Sequence, residues 1–217
     1  MSVFRLDTSI RGNDSRTGAL ADLVEQEWRA QSGDEPVVRR HLGQNPLPST
    51  AWSAAVGAHW TPREQWTPQQ REAAELAASL VDELVAADAL IIAAPLYNYG
   101  VSQHLKTWVD VITTDSRMGS GAEPILAGKP AVLLTARGGA YGPGTPREGW
   151  DHATGWMRQA FGAIWQLDLT VVEQEMVFVG INPALDKFKE AAAQVRVQAE
   201  EQARAAGRSL AKVKTTA

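Results

Sequence analysis

The sequence predicts a doubly wound α/β domain built on a five-stranded parallel sheet. Short β-like runs alternate with long helical runs, which is the pattern of repeated strand–helix units. Two of the short runs, residues 89–94 and 130–135, show no alternation of apolar and polar side chains, as expected for strands buried on both faces. At 217 residues and 44% hydrophobic content the chain suits one large domain, which we expect to span residues 1–217.

The first half of the chain begins with two predicted strands and a helix between them. An apolar run at residues 2–6 predicts the first strand, and a helix begins near Ser15. The apolar stripe of this helix consists of Leu20, Leu23, Val24 and Trp28. Residues 36–42 predict the second strand, and residues 45–62, with three prolines, predict a long irregular segment.

Clear helix signals follow in the rest of the chain. Residues 67–70 (Thr-Pro-Gln-Gln) combine an N-cap, a first-turn proline and a capping box, and Ser102 is a second N-cap candidate. The strand at residues 130–135 leads into a loop at residues 137–149 that contains five glycines. The remaining predicted elements are a helix at residues 150–165, a fifth strand within residues 167–179 and a closing helix at residues 183–211.

Composition excludes several classes of protein. Lys and Arg number 21 against 25 Asp and Glu, so the net charge of −4 gives no basic footprint for nucleic acid. The chain has no cysteine, which excludes disulfides, thiolate nucleophiles and Cys-ligated metal centres. The four histidines do not pair at ligand spacing, so we expect no metal site. Because no membrane span or secretion signal is recognisable, we expect a cytoplasmic protein without membrane contacts.

A hydroxyl-rich loop joins the first strand to the helix that follows it. Residues 8–17 contain four Ser or Thr side chains, one glycine and two arginines at a helix N-terminus. Backbone N–H groups and the positive end of the helix dipole favour a phosphate there. The loop is neither a G-x-G-x-x-G turn nor a Walker A loop, so it suits a mononucleotide. The alternative is ordinary helix capping, which alone would use only one or two of these residues.

Two further loops follow the predicted third and fourth strands. Residues 95–102 contain the run Tyr97-Asn98-Tyr99, in which two aromatic rings flank an amide that can donate and accept hydrogen bonds. Residues 136–142 contain Gly138 and Gly139, whose N–H groups can approach a ligand closely. Each segment alone is compatible with an ordinary turn. In a doubly wound sheet, however, all three loops lie beyond the carboxyl ends of the strands, where ligands bind.

Together these motifs resemble those of the FMN-dependent NADH-azoreductases, in the flavodoxin-like NAD(P)H:quinone oxidoreductase superfamily. The shared segments are Ser9, Ser15-Arg16-Thr17, Thr67-Pro68-Gln69-Gln70, Ala94-Pro95-Leu96-Tyr97-Asn98-Tyr99 and Ala136-Arg137-Gly138-Gly139. The pattern P-x-Y-N-[FY], followed further along the chain by R-G-G, is specific for this family. The resemblance runs from residue 1 to about residue 170.

The resemblance implies a flavodoxin-like fold with strand order 2-1-3-4-5, bound FMN, and NADH or NADPH as electron donor. It also implies a quinone or azo compound as the acceptor, two-electron ping-pong hydride transfer, and a homodimer with the flavin at the subunit interface. The implied cofactor-binding residues are Ser9, Arg11, Ser15, Arg16, Thr17, Pro95, Leu96, Tyr97, Asn98, Tyr99, Ala136, Arg137, Gly138 and Gly139. No side chain is assigned a catalytic role, because the flavin performs the chemistry.

The tryptophans and one tyrosine add an expectation about the substrate pocket. Trp52, Trp60 and Trp66 lie in or beside the irregular segment, where a monomer would expose them as an apolar patch. We therefore expect Trp60 to cover the flavin pocket of the partner in the homodimer. We expect Tyr141, in the third loop, to line the same pocket.

Two other functions stay open from the sequence. One is a flavodoxin-type electron-transfer protein, although a net charge of −4 is mild for a carrier of that kind. The other is a flavin reductase that tailors an aromatic natural product. The segment at residues 112–129 is shorter than in the family and lacks aromatic side chains, and Trp165 differs from the residues common at this place in the family. We therefore expect the wall of the substrate pocket to differ. A third function, a binding module that has lost FMN, is disfavoured by the complete hydroxyl loop.

Overall fold

The computed structural model describes residues 1–212, and its centre is a parallel sheet. The strands are Val3–Asp7 (β1), Val37–His41 (β2), Ala89–Ala93 (β3), Leu96–Tyr97 (β4), Gly100–Val101 (β5), Pro130–Ala136 (β6) and Asp168–Gln174 (β7). The sheet has the order β2-β1-β3-β6-β7, while β4 and β5 form a separate antiparallel hairpin. The expected order 2-1-3-4-5 is confirmed. The predicted domain extends to residue 217, but residues 213–217 lie outside the described residues.

Helices follow the strands where the capping signals place them. The α-helices are Arg16–Ser32 (α1), Ala51–His59 (α2), Pro68–Ala86 (α3), Gln103–Ile112 (α4), Thr154–Met157 (α5) and Lys189–Lys212 (α6). Ser15, Thr67 and Ser102 each accept a hydrogen bond from the backbone N–H three residues later, so these predicted N-caps are confirmed. Within residues 1–212, none of the helices combines the length and hydropathy that a membrane crossing requires.

Two apolar cores lie on opposite faces of the sheet. One is shared with α1 and α6, and the other with α2, α3, α4 and the segment around Phe161. Trp28 is fully buried in the first core and Trp108 in the second, where it stacks on Phe4 at a ring distance of 6.4 Å. Strands β1 and β3 are buried along their whole length. A site at the sheet centre therefore has to form at the strand ends, where the loops lie.

The segment at residues 45–62 is not irregular throughout, and this prediction is wrong. Its prolines lie at the two ends and leave residues 51–59 free to form α2. Alanines of α2 pack inward, with Ala55 and Ala58 buried. The helix therefore forms because its small apolar face finds a partner in α3, which no local signal shows.

Two predicted helices begin later than expected. The helix predicted from residue 150 begins at Thr154, because Asp151 accepts hydrogen bonds from the N–H groups of Ala153 and Thr154 at 2.9 and 2.8 Å. It continues as a π-helix over Arg158–Ile164. The closing helix is preceded by a 3-10 helix at Pro183–Phe188, and its α-helical part begins six residues later than expected.

A stripe of small residues on α6 lets this helix approach α1 closely. The stripe contains Ala199, Ala203, Ala206 and Gly207, all buried. A Cβ on Gly207 would overlap the carbonyl oxygen of Val24 and lie 2.9 Å from the Cβ of Glu27. The separation of the two helices is therefore set by the absence of a side chain at residue 207.

We expect Gly207→Ala to destabilise the protein by about 1–3 kcal/mol, because the added methyl group forces α6 away from α1. Alanine normally stabilises a helix relative to glycine, so the sign itself is informative. Gly155→Ala in α5 is the matched control, since its Cβ position is open. Urea denaturation measures both variants, and an equal or higher stability of Gly207→Ala would contradict the proposed close contact.

Candidate functional site

A buried ion-pair cluster fixes both ends of the loop between β1 and α1. Arg5 of β1 donates through Nε to Asp7 at 2.8 Å, and through Nη1 to Asp22 and Glu25 of α1 at 2.6 and 3.1 Å. Its Nη2 also donates to the carbonyl oxygen of Gly18 at 3.3 Å. One guanidinium group thus joins the end of the strand to the first turns of the helix.

The charges in this cluster hold one another in the ionised state. Burial alone would raise the pKa of Glu25, but hydrogen bonds from Arg29, Arg39 and Arg5 lower that pKa below its usual range. Burial likewise opposes the charge of Arg5, whose pKa is nevertheless raised by Asp7 and Asp22. The contribution of ionised Glu25 to stability is present above its unfolded-state pKa and is lost as the pH falls through its folded-state pKa.

The loop held in this way presents buried hydroxyl groups at the start of α1. Ser9, Ser15 and Thr17 are all buried, and the Oγ of Ser15 lies 3.2 Å from Oγ1 of Thr17. Ser15 also accepts the N–H of Gly18 at 2.9 Å. The N–H groups of the first helical turn have no acceptor within the helix, and the helix dipole adds a positive potential there. The arrangement is a cradle for an anion.

Gly43 packs against this loop from outside, a role that the sequence analysis did not predict. A Cβ on Gly43 would overlap the carbonyl oxygen of Ser9. The neighbouring Leu42 donates its N–H to the carbonyl oxygen of Asp7 at 2.8 Å. Only glycine allows the chain after β2 to pass this close to the hydroxyl loop. A lone glycine between strand and loop is too common a feature to reveal such a contact.

The second predicted loop is a tight hairpin formed by β4 and β5. Its two central residues, Asn98 and Tyr99, have φ angles of 48° and 66°. Two positive φ values are the mark of a type I′ turn, and Tyr99 adopts this conformation at an energetic cost. The hydroxyl group of Tyr97 lies 3.1 Å from Oγ of Ser9 and accepts the N–H of Ile10 at 3.2 Å. The hairpin is therefore bonded directly to the hydroxyl loop.

The third loop is held by the chain that follows β7. The carbonyl oxygens of residues 137–139 accept hydrogen bonds from the N–H groups of residues 176–178 at 3.1–3.2 Å. The ring of Phe178 packs against Gly138 so closely that a Cβ there would overlap it. Among the described residues, the N–H groups of Gly138 and Gly139 have no hydrogen-bond acceptor. Both are thus left for a ligand.

Arg137 braces this loop through carboxylates of the protein. Its guanidinium donates to Asp151 and Glu173 and lies 3.5 Å from Glu175. Burial opposes its charge, but these carboxylates raise the pKa of Arg137. Burial likewise would raise the pKa of Asp151, which is instead lowered by its hydrogen bonds with Thr154, Ala153 and Arg137. Arg137 was expected to contact the cofactor. Both of its terminal nitrogens already contact carboxylates of the protein, and its buried Nε has no partner among the described residues.

An aromatic cluster joins the second and third loops. The ring of Tyr99 meets Tyr141 and Trp150 edge-on, at centroid distances of 6.2 and 5.4 Å. The carbonyl oxygen of Tyr99 accepts the N–H of His152 at 3.0 Å. Tyr141 is buried, whereas Trp150 is about half-exposed. The sequence prediction missed Trp150, because the residue was assigned to a helix and no short-range pattern links it to Tyr99.

The other predicted site residues differ in how the structure places them. Pro95, Leu96 and Ala136 are buried; Pro95 precedes β4, Leu96 begins β4 and Ala136 ends β6. Asn98 is exposed at the hairpin tip. The side chains of Arg11 and Arg16 are exposed, although the N–H of Arg11 donates to Oγ of Ser9 at 3.2 Å. These residues lie in or beside the three loops.

Two features of the predicted substrate pocket lie apart from the loops within the described protomer. Trp60 ends α2 with 80% of its surface exposed, and its ring packs on His59 at 5.0 Å. Trp165 is buried between Trp108 and Phe161. With residues of the 113–126 segment, Trp165 lines a cavity of about 500 Å³ that shares no residue with the three loops.

Comparison with known proteins identifies the family of this chain. A family model, Flavodoxin_2, described as a flavodoxin-like fold, matches residues 1–202. An FMN-dependent NADH:quinone oxidoreductase of Parafrankia sp. is 32% identical over 93% of this chain and 96% of that protein. The protein of the same name from Frankia alni is 34% identical over 100% of this chain and 99% of its own length.

Solved structures agree on the fold. An azoreductase from Bacillus anthracis has a TM-score of 0.78 at 16% identity, over 96% of this chain and 99% of that one. At this low identity the likeness concerns the fold alone. The resemblance inferred from the three loop motifs is confirmed, and the chain belongs to the Flavodoxin_2 family of flavodoxin-like proteins.

Proposed function

We propose that the protein is an FMN-dependent NADH:quinone oxidoreductase that also reduces azo compounds. One observation carries the proposal: a hydroxyl-rich anion cradle, a strained aromatic hairpin and a loop with two unpaired N–H groups meet at one end of the sheet. Relatives with that name are similar over nearly the whole chain, which supports the same assignment. NADPH is an alternative donor.

The hydroxyl loop fits the phosphate of FMN. Ser9, Ser15 and Thr17 supply hydroxyl donors, and the first turn of α1 supplies backbone N–H groups. The nearest buried carboxylate, Asp7, is already neutralised by Arg5 and does not oppose a second anion. A single terminal phosphate matches this donor set, whereas a dinucleotide pyrophosphate would require a glycine-rich turn that the loop lacks.

The hairpin and the third loop fit the ring system of FMN. Leu96, Tyr97, Asn98 and Tyr99 present backbone and ring edges on one side, and the free N–H groups of Gly138 and Gly139 lie on the neighbouring loop. Both loops are fixed before any ligand binds, one by the Tyr97 hydroxyl and the other by hydrogen bonds to residues 176–178. Such preorganisation reduces the cost of ordering the site on binding.

FMN held by the three loops would supply hydride chemistry, by which two electrons of the nicotinamide reach the quinone or azo acceptor. The chain binds and orients the reactants and tunes the charge around them. The Gly138 and Gly139 N–H groups stabilise negative charge at the ring edge that they face, an oxyanion-type role. The cluster of Tyr99, Tyr141 and Trp150 offers aromatic surface to a flat acceptor.

A homodimer completes the proposed arrangement. Trp52 and Trp60 are exposed on and beside α2, 49% and 80% respectively, and large exposed apolar side chains of this kind commonly mark an interface. A two-fold contact would bury the same patch on both subunits. We place the protein in the cytoplasm, because its proposed donor is a cytoplasmic nicotinamide nucleotide.

The double substitution Ser15→Ala with Thr17→Val should weaken FMN binding by about 1–3 kcal/mol, because two hydroxyl donors to a charged phosphate are lost. Fluorescence titration of the FMN-free protein measures the affinity. Because Ser15 also caps α1, Thr67→Ala, which removes the cap of α3, is the matched control for lost helix stability. Equal FMN affinity in the wild type and the double variant would reject the phosphate assignment.

Steady-state kinetics with NADH and a small quinone should give parallel double-reciprocal lines, as in a ping-pong mechanism, because the donor leaves before the acceptor binds at the same site. No partner protein should be needed. Anaerobic stopped-flow mixing with NADH alone should bleach the flavin absorbance before any acceptor is added. If NADH leaves the flavin oxidised, or if turnover requires a second protein, an electron carrier of the flavodoxin type describes the chain better.

Trp60→Ala should raise the acceptor KM or lower kcat while leaving FMN affinity nearly unchanged, since Trp60 lies apart from the hydroxyl loop within a protomer. Analytical ultracentrifugation of the same samples gives the oligomeric state. A fully active monomer would refute the dimeric site. Normal acceptor kinetics for Trp60→Ala in an intact dimer would refute only the role given to Trp60.

A further inference from the structure

A small cavity borders the hydroxyl loop (residues 8–17) and shares Arg16 with it. It has a volume of about 150 Å³ and lies between the start of α1, the end of β7 and the first half of α6. Arg16, Lys189 and Arg196 line it, and Met176, Val177 and Val179 form the apolar part of its wall. These three cationic residues are exposed, and they border a space much smaller than a drug-sized ligand needs.

Gln174 contributes an uncharged polar side chain to the wall of this cavity. This residue is the last of β7, lines the cavity and is only 5% exposed. Its carbonyl oxygen accepts the N–H of Arg137, but within residues 1–212 its side-chain amide has no hydrogen-bond partner. The residue lines the cavity, so a ligand that accepts an N–H of this amide would add a hydrogen bond there.

The cations are only partly neutralised by the protein. Lys189 contacts Asp186 at 2.9 Å and Arg196 contacts Glu200 at 3.7 Å, but neither carboxylate lines the cavity. Arg16 has no carboxylate partner among the described residues. The neighbouring Met176 holds a φ angle of 61°, a strained conformation that keeps the turn after β7 folded against the cavity. Positive charge and an unpaired amide therefore face the same small space.

We propose that this cavity binds the phosphate group of a phosphorylated small molecule, at a second anion site that shares Arg16 with the hydroxyl loop but none of the hydroxyl residues proposed to hold the FMN phosphate, Ser9, Ser15 and Thr17. A phosphate monoester carries between one and two negative charges at neutral pH and three strong acceptor oxygens. These match two guanidinium groups, one ammonium group and the Gln174 amide. This phosphate is either the 2′-phosphate of NADPH or the phosphate group of another small molecule. In the first case the inference rests on the proposed function.

Calorimetric titration of the FMN-loaded protein tests the site, because bound FMN already fills the other phosphate loop. Inorganic phosphate should bind the wild type. The double variant Lys189→Ala with Arg196→Ala should bind it about tenfold more weakly. Gln174→Leu, which keeps the size of the buried side chain, should also bind phosphate more weakly. Arg204→Ala with Arg208→Ala removes the same charge from α6 outside the cavity and should leave phosphate affinity unchanged.

Two further measurements separate the sources of the phosphate. If the ligand is NADPH, adenosine 2′,5′-bisphosphate displaces inorganic phosphate, and the Lys189/Arg196 variant raises the KM for NADPH but not for NADH. If the ligand is another phosphorylated small molecule, the Lys189/Arg196 variant loses phosphate binding, but its KM values for NADPH and NADH both stay unchanged. Absence of saturable phosphate binding to the wild type, or equal binding by wild type and variant, would overturn the proposal. The phosphate titrations do not depend on turnover. A failure of the proposed oxidoreductase activity is therefore distinguishable from a failure of this site.

Discussion

The guanidinium group of Arg5 is the contact on which the geometry of the candidate site depends. It extends from β1 toward α1 and joins Asp7 of β1 to Asp22 and Glu25 of α1. Removing one partner of a buried ion pair typically costs about 3–5 kcal/mol, because the remaining charge is left uncompensated. The cluster therefore fixes where α1 begins relative to the strand. The position of the hydroxyl loop, and so of the anion cradle, follows from it.

Hydrogen bonds connect the hydroxyl loop to the hairpin, and the hairpin to the segment that follows the third loop. Tyr97 connects the hydroxyl loop to the hairpin, and the carbonyl oxygen of Tyr99 connects the hairpin to the N–H of His152. Arg137 and residues 176–178 then hold the glycine pair. The strained φ angle of Tyr99 persists because bonds on both sides determine it. A site held in this way before ligand binding suits an enzyme whose cofactor performs the chemistry.

The parts of the fold that the sequence predicted are those with short-range signals. The caps Ser15, Thr67 and Ser102 were recognisable because each needs only its own residue and the next helical turn. Unalternating apolar runs likewise identified β3 and β6. Helix α2 was missed because prolines flank it and its stability comes from packing. Trp150, Gly43 and Gln174 were missed for a related reason: their roles come from contacts with residues distant in sequence.

The central claim is that the loop fixed by Arg5 holds the phosphate of FMN. Phosphorus-31 NMR of the FMN-loaded protein, recorded as a function of pH, tests it most directly. The phosphate of free FMN, like other phosphate monoesters, takes up its second proton near pH 6. Surrounded by hydroxyl and N–H donors, the bound phosphate should stay dianionic, with a resonance that does not shift between about pH 5.5 and 8. A bound resonance that titrates like free FMN would place the phosphate in solvent and contradict the claim.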